Sequence, residues 1–295
     1  MSRVDAVPAP LLVLAGVVSV QFGGALAATL VPQIGAAGSV VLRLLIATAL
    51  LLLFARPRWR GHRPRDWATV GCFGLALGLM NFAFYASLGH LPIGVAVTIE
   101  FIGPLTLAAA LSRRPRDLLA VAAAGVGVVL ISQALSLPFA DLERTGIVLA
   151  LLAGACWAAY IVFSGRTGAA FPQLEGLALA MVVATAVVLP FGIWDVSVHG
   201  TSAWDGTVLL KGLGIAVLSS ALPYSLELLA LRRLAPAVFG ILLSLEPAVA
   251  ALAGLLVLGQ RLDPVQLTGM ALVVLASFLV LGLGAGRRRQ PDLPA

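Results

Sequence analysis

The chain has 295 residues, of which 60% are hydrophobic and 11% charged, and its formal net charge is +6. A water-soluble domain carries roughly 25% charged residues, so this composition excludes a conventional wet surface and points to lipid as the solvent. The basic balance, 18 Arg and one Lys, is spread between apolar runs and not along one face, which argues for membrane topology and against nucleic-acid binding.

Crossing about 30 Å of hydrocarbon takes about 20 helical residues, with every backbone group paired internally. The first apolar run covers 11–31 and holds Gln21 near its middle. Arg3 and the Ala25-Leu26-Ala27 box resemble a signal peptide, but Asp5 opposes Arg3 and apolar sequence runs on to Val31, so an uncleaved span is expected. A short Pro32-Gln33 connection leads to the second run, 34–55, which contains Arg43. The third, 68–88, places Asn81 and Tyr85 at i and i+4 on one face. Its Gly74-x-x-x-Gly78 reads as a helix-packing motif, and Met80 carries no functional signal. After His90-Leu91-Pro92 the fourth run, 93–112, bears Glu100 and Pro104; the fifth is 117–137. The sixth, 145–165, has Trp157 and Tyr160 at i and i+3, and the seventh is 176–194. The eighth, 207–230, has Tyr224 and Glu227 at i and i+3, the ninth, 236–258, bears Glu246 and Pro247, and the tenth is 265–284.

Loop charge sets the orientation. With the N-terminus in the cytoplasm, the inner segments hold 15 basic residues and the outer ones three: Arg144, Lys211 and Arg261. Both termini are therefore expected inside. An internal repeat is also visible: Gly94-Val-Ala-Val-Thr-Ile-Glu100 aligns without a gap to Gly240-Ile-Leu-Leu-Ser-Leu-Glu246, and a proline follows each glutamate (Pro104, Pro247). The fold class is thus an all-α integral membrane protein, with ten transmembrane helices in two inverted five-helix repeats at 11–137 and 145–284. Five is odd, so the second copy enters from the other side. Such repeats characterise secondary transporters, with the binding site near the midplane between halves.

Ionisable groups within a span cost roughly 2.5–3.5 kcal/mol each, so they need a reason to be there. They are Arg43, Glu100, Glu227 and Glu246. Arg43 lies 13 residues before Arg56, Glu100 lies 13 before Arg113, and Glu246 lies 13 after Arg233. At 1.5 Å per residue all three sit about 20 Å from the cytoplasmic anchors, a shared level that suits a common polar cavity. Arg43 would hold a substrate carboxylate or tune a glutamate; the other reading is a structural arginine neutralising one Glu in packing. Glu100 and Glu246 are candidates for proton coupling, because a buried carboxyl has a proton affinity that follows its surroundings. Glu227 is a further candidate, or else a group snorkelling toward Arg232. Pro104 frees the carbonyl of Glu100 and Pro247 that of Leu243, which suits either a cation or ammonium ligand or a simple packing kink. Gln21, Asn81, Tyr85, Trp157, Tyr160 and Tyr224 read as cavity lining for a small polar solute, or alternatively as interhelical bonding.

Cys72 and Cys156 lie in apolar runs as small filler, and His62, His90 and His199 fall in separate turns, so neither a metal nor another cofactor is expected. No phosphate loop, nucleophile elbow or His-Glu-x-x-His string occurs, which disfavours an ATP-driven pump or an intramembrane hydrolase.

Gly154-Ala-Cys-Trp-Ala-Ala-Tyr160 and Ser244-Leu-Glu-Pro-Ala-Val-Ala250 resemble the EamA-type repeats of the drug/metabolite transporter superfamily. More narrowly, Met80-Asn-Phe-Ala-Phe-Tyr85, Ile99-Glu-Phe-Ile-Gly-Pro-Leu105, Ser112-Arg-Arg-Pro115 and Ser219-Ser-Ala-Leu-Pro-Tyr-Ser-Leu-Glu227 are similar to the threonine/homoserine exporter branch. The resemblance covers essentially the whole chain. Many members of the superfamily carry Trp where this chain has Gln21, a departure that fits the exporter branch. The resemblance implies a multi-pass bacterial inner-membrane exporter of small hydrophilic amino acids, exchanging substrate for protons by alternating access. Its partners would be the amino acid, protons and the bilayer. Export of other metabolites or drugs is the first alternative, and a non-transporting intramembrane enzyme or scaffold is the second.

Overall fold

The computed structural model describes residues 7–112, 115–133, 142–199, 204–258 and 263–285. Among them the chain is all-helical: α1 Ala9–Ile34, α2 Ala36–Ala55, α3 Pro64–Ser87, α4 Ile93–Leu111, α5 Pro115–Ser132, α6 Arg144–Ala170, α7 Glu175–His199, α8 Gly206–Ala216, a π-helical turn Val217–Ala221, α9 Leu222–Leu231, α10 Pro236–Leu243, α11 Leu245–Leu258 and α12 Pro264–Ala285. Arg3, Arg113, Arg114, Arg261 and Arg287 to Arg289, which enter the charge argument, lie outside the described residues, as does the end of the fifth expected span.

Six segments are long and apolar enough to cross a membrane: Ala37–Ala55, Pro64–Ser87, Ile93–Leu111, Arg144–Ala170, Glu175–Ser197 and Gly206–Leu231. Shorter apolar helices cover Ala9–Gly24, Asp117–Ser132, Pro236–Leu252 and Pro264–Val280. Leu53, Phe54, Leu119, Val148, Trp194, Leu210 and Phe278 are exposed at 60% or more. An exterior of that kind suits lipid tails, not water. The chain is a multi-pass membrane protein.

Three elements differ from the sequence expectation, each for a local reason. The first helix runs past Pro32 to Ile34, and the turn falls at Gly35, whose φ of +75° suits glycine. The eighth expected span is one continuous segment with a π-helical turn before Pro223. Pro223 has no N–H to return to Ser219, and Leu222 reaches back five residues to the Val217 carbonyl. The ninth breaks at Ser244, where Pro247 cannot bond the Leu243 carbonyl. There the Ser244 amide and hydroxyl both donate to Ile241 O, at 3.1 and 2.6 Å.

Helices approach closely where side chains vanish. A Cβ on Gly74 would lie 2.3 Å from the Ala180 carbonyl oxygen, and one on Gly78 would lie 2.9 Å from that of Ala184, so this motif seats α3 on α7. Gly127 and Gly269 perform the same service between α5 and α12. Between α2 and α7 a polar clasp adds to packing: Thr48 donates 3.1 Å to Met181 O and lies 2.8 Å from the Thr185 hydroxyl. Asp195 of α7 accepts from the Gly38 amide at 2.9 Å and so closes the first turn of α2. The core under these contacts is built on Phe73, Phe101, Tyr160, Leu177, Met181, Leu228 and Phe239.

Candidate functional site

Helices α1, α2, α3, α4, α6, α9 and α11, with the π-helical turn, surround a cavity of about 500 Å³. Gln21, Arg43, Asn81, Tyr85, Glu100, Trp157, Tyr160, Tyr224, Glu227 and Glu246 all line it. Pro104 and Pro247 are not among its lining residues. Leu88 and Ile93, at the close of α3 and the start of α4, also line it.

The lining falls into two parts. On α2 and α3, Arg43 donates through Nη2 to Asn81 Oδ1, and its guanidinium stands 5.4 Å from the centre of the Tyr85 ring. Asn81 in turn donates from Nδ2 to Leu77 O at 2.8 Å and to the Tyr224 hydroxyl at 3.2 Å. These bonds account for both ends of the amide and lock its orientation. Arg43 is buried, and its Nε has no hydrogen-bond partner among the described residues. A buried guanidinium N–H left open is an anion-binding group, since guanidinium presents fixed donors and no acceptor.

On the other side stand the acids. Tyr160, fully buried, donates 2.6 Å to Glu227 Oε2, and its ring lies 5.8 Å from that of Tyr224. Glu246 sits within electrostatic reach of Glu227 and Glu100. Phe101 and Trp157 meet edge to face at 4.8 Å beside them and complete an aromatic wall. Glu100 and Glu227 are buried, while Glu246 is half-buried in the first turn of α11.

Two sequence expectations need correction. Among the described residues no ion pair joins Arg43 to a glutamate: the arginine is held by Asn81 and Tyr85, so the structural-neutralisation reading fails. Glu227 does not snorkel toward Arg232. It is 5% exposed and bonded to Tyr160, while Arg232 donates to the Phe171 carbonyl at 2.8 Å and to that of Gln173. The carbonyl that Pro104 frees, that of Glu100, is met by backbone: a Cβ on Gly154 would lie 2.5 Å from it. The α4 and α6 backbones pack closely at that point.

Sequence reasoning missed part of the lining. Met80, read as silent, is on the wall, with Phe84, Val97 and Phe101. An apolar side chain in a membrane helix carries no mark that separates cavity from lipid. Ser219 also lines the cavity, from the π-helical turn, where Gly23 presses against its backbone and Ser19 donates 2.7 Å to the Leu218 carbonyl. Pro223 was the available signal for that turn. Among the described residues no three His, Cys, Asp or Glu side chains gather into a metal-binding group.

Comparison with known proteins now bears on this arrangement. Residues 144–282 match the EamA-like transporter family. The chain is 39% identical over 284 residues to the threonine/homoserine exporter RhtA of Salmonella typhimurium strain SL1344, covering 96% of this chain and 93% of that protein. It is 39% identical over 268 residues to RhtA of Escherichia coli K12, covering 90% and 89%. Protein PecM of Dickeya dadantii is 27% identical over 240 residues, covering 77% and 78%. A crystal structure with 18% identity superposes with a TM-score of 0.70 over 98% of this chain and 100% of its own, which establishes a shared fold. The RhtA relatives are exporters and the matched family is one of transporters, so the chain is a transporter and not an enzyme. The chain belongs to the drug/metabolite transporter superfamily with EamA-type repeats, in the branch of the threonine/homoserine exporter RhtA.

Proposed function

We propose that this protein exports small hydrophilic amino acids of the threonine and homoserine kind across the bacterial inner membrane, exchanging them for protons by alternating access. The observation that carries the reading is one cavity with two chemical sides: an open, buried guanidinium N–H at Arg43 and the carboxyl groups of Glu100, Glu227 and Glu246. A zwitterion satisfies both. Its carboxylate meets Arg43, and its ammonium group meets Glu100 or Glu246. The three glutamates are the candidates for holding the exchanged proton, and the bound cation and the proton compete for the same oxygens. That competition is a sufficient basis for antiport, because a carboxyl occupied by substrate ammonium gives up its proton. Gln21, Tyr85, Trp157 and Tyr224 supply the remaining wall, with Asn81 orienting Arg43 and Tyr160 orienting Glu227.

The ten-span, two-repeat architecture belongs to the same proposal, with halves 11–137 and 145–284 and both termini in the cytoplasm. Helix pairing supports it. If α1 to α5 correspond in order to α6, α7, α8 with α9, α10 with α11, and α12, then α3 on α6 is answered by α1 on α9, and α4 on α6 by α1 on α11. The pairs α2 with α7, α4 with α10 and α5 with α12 each map onto themselves, as contacts astride a two-fold axis do.

The deciding measurement is uptake of labelled threonine into everted vesicles, whose outer surface is the former cytoplasmic face. An acid lumen is expected to drive threonine inward as protons leave, and a protonophore to abolish the effect. Uptake of other metabolites without threonine would transfer the proposal to a different cargo. Uptake that ignores the gradient would remove proton exchange from it.

A further inference from the structure

Tyr160 lines the cavity, and the α6 face that continues from it toward the end of the helix at Ala170 is unusual. Tyr160, Ser164 and Thr167 stand at i, i+4 and i+7, so they form one line along the helix. Thr167 lies about 10 Å beyond Tyr160 along the axis. All three residues are fully buried. Elsewhere in this protein helical hydroxyls return to a carbonyl one turn back: Ser225 to Ala221, Ser277 to Val273 and Thr98 to Gly94. Ser164 and Thr167 do not. Each hydroxyl oxygen is buried with no hydrogen-bond partner among the described residues. Two such groups in series, continuous with the Tyr160–Glu227 bond, suit water or a polar solute and not dry packing.

Beyond Thr167 the face is shut by a polar clasp. Arg232 donates to the carbonyls of Phe171 and Gln173 in the turn between α6 and α7, and its side-chain stem lies against Gly168. Thr167 itself abuts Gly176 at the start of α7.

We propose that the Tyr160–Ser164–Thr167 face is the inner half of the transport path, a passage for water and a small zwitterion that is closed in this structure by the Arg232 clasp. The inference rests on the transport reading above, but the test separates the two. In a background with Cys72→Ala and Cys156→Ala, Ser164→Cys and Thr167→Cys are made singly, with Ala169→Cys, exposed at the same helix end, as the accessible control. A membrane-impermeant maleimide is applied to everted and to right-side-out vesicles. Both thiols are expected to react from the everted face only, and Arg232→Ala, which removes two charge-assisted hydrogen bonds, is expected to speed that reaction by on the order of tenfold or more. Thiols that stay unreactive in the Arg232→Ala variant, while Ala169→Cys reacts, overturn the passage. Labelled threonine uptake is read in the same vesicles. Reactive thiols without uptake leave the passage standing and sink the amino-acid reading; uptake with shielded thiols sinks the passage alone. Scoring the two cysteines separately keeps the test alive should either variant fail to fold.

Discussion

The two stretches that align in the sequence, 94–100 and 240–246, end in the same residue and then part company. After Glu100 the helix continues through Pro104 without a break, so that glutamate stands in mid-helix. Before Glu246 the helix stops at Leu243 and restarts at Leu245, so that glutamate stands in the first turn of a new one. The difference is the position of one proline. Pro104 sits four residues after its glutamate and frees the glutamate's own carbonyl, which then packs on Gly154. Pro247 sits one residue after, frees Leu243, and moves the break to the turn before the carboxyl. A repeated motif has therefore become two unlike sites: one carboxyl on a continuous rod, the other in the first turn of a helix that restarts after Ser244.

The strongest way to break this comparison is to remove each charge in turn. Glu100→Gln and Glu246→Gln are each expected to reduce gradient-driven threonine uptake to background. Counterflow of labelled against unlabelled threonine, which needs no net proton movement, should survive better in one variant than in the other if the two glutamates have divided the work. Equal loss of both activities in both variants would mean that the helix break makes no functional difference. Next in size is Arg43→Ala, which removes the open guanidinium. Losing hydrogen bonds to a charged group costs about 1.5–3 kcal/mol, so the apparent KM should rise by roughly tenfold to a hundredfold. An unchanged KM would place the substrate carboxylate elsewhere.

The polar members of the cavity were legible in the sequence, and the reason is physical. Hydrocarbon penalises Arg43, Glu100, Glu227 and Glu246 so heavily that their mere presence marks them, and counting from the arginines between spans gives the relative height of Arg43, Glu100 and Glu246. What could not be read was their pairing. Arg43 at the level of two glutamates suggests an ion pair, yet an amide, Asn81, and an aromatic face, Tyr85, take the guanidinium. Height along the membrane normal says nothing about angle around the helix bundle. The apolar wall was illegible for a different reason: Met80 and Phe101 look the same to a hydropathy count whether they face lipid or a cavity. Helix existence was the easiest element, because lipid leaves the backbone few alternatives. The break at Ser244 and the π-helical turn before Pro223 were signalled by prolines, but a proline does not say whether a kink, a π-helical turn or a stop will follow.

A smaller effect sharpens the same comparison at the aligned glycines. A Cβ on Gly94 would lie 2.2 Å from the Ser132 carbonyl oxygen, whereas one on Gly240 would lie 3.0 Å from that of Pro104. Overpacking against backbone costs about 1–3 kcal/mol, while replacing a helical glycine by alanine returns up to about 1 kcal/mol. Gly94→Ala should therefore lower thermal stability in detergent, and Gly240→Ala should be close to neutral. Equal effects would show that the first repeat is no more tightly packed at this point than the second.

Tyr160→Phe should have the smallest effect and the most specific one. It deletes the 2.6 Å hydrogen bond to Glu227 without opening a void, since the ring and its place between Phe73 and Tyr224 remain. Interhelical hydrogen bonds in membranes average about 0.6 kcal/mol and reach about 1.7, so the loss of stability should be slight. The carboxyl, however, loses the donor that orients it. If Glu227 takes part in proton exchange beside Glu100 and Glu246, the pH profile of uptake must change shape in this variant even though the fold is intact. Tyr224→Phe is the paired control. That hydroxyl accepts from Asn81 on the arginine side of the cavity, so its loss should act on substrate affinity and leave the pH profile as it was. A pH profile that Tyr160→Phe leaves untouched would take Glu227 out of the coupling set and make it an acceptor that holds α6 to α9, with proton exchange then resting on the two glutamates of the repeated motif.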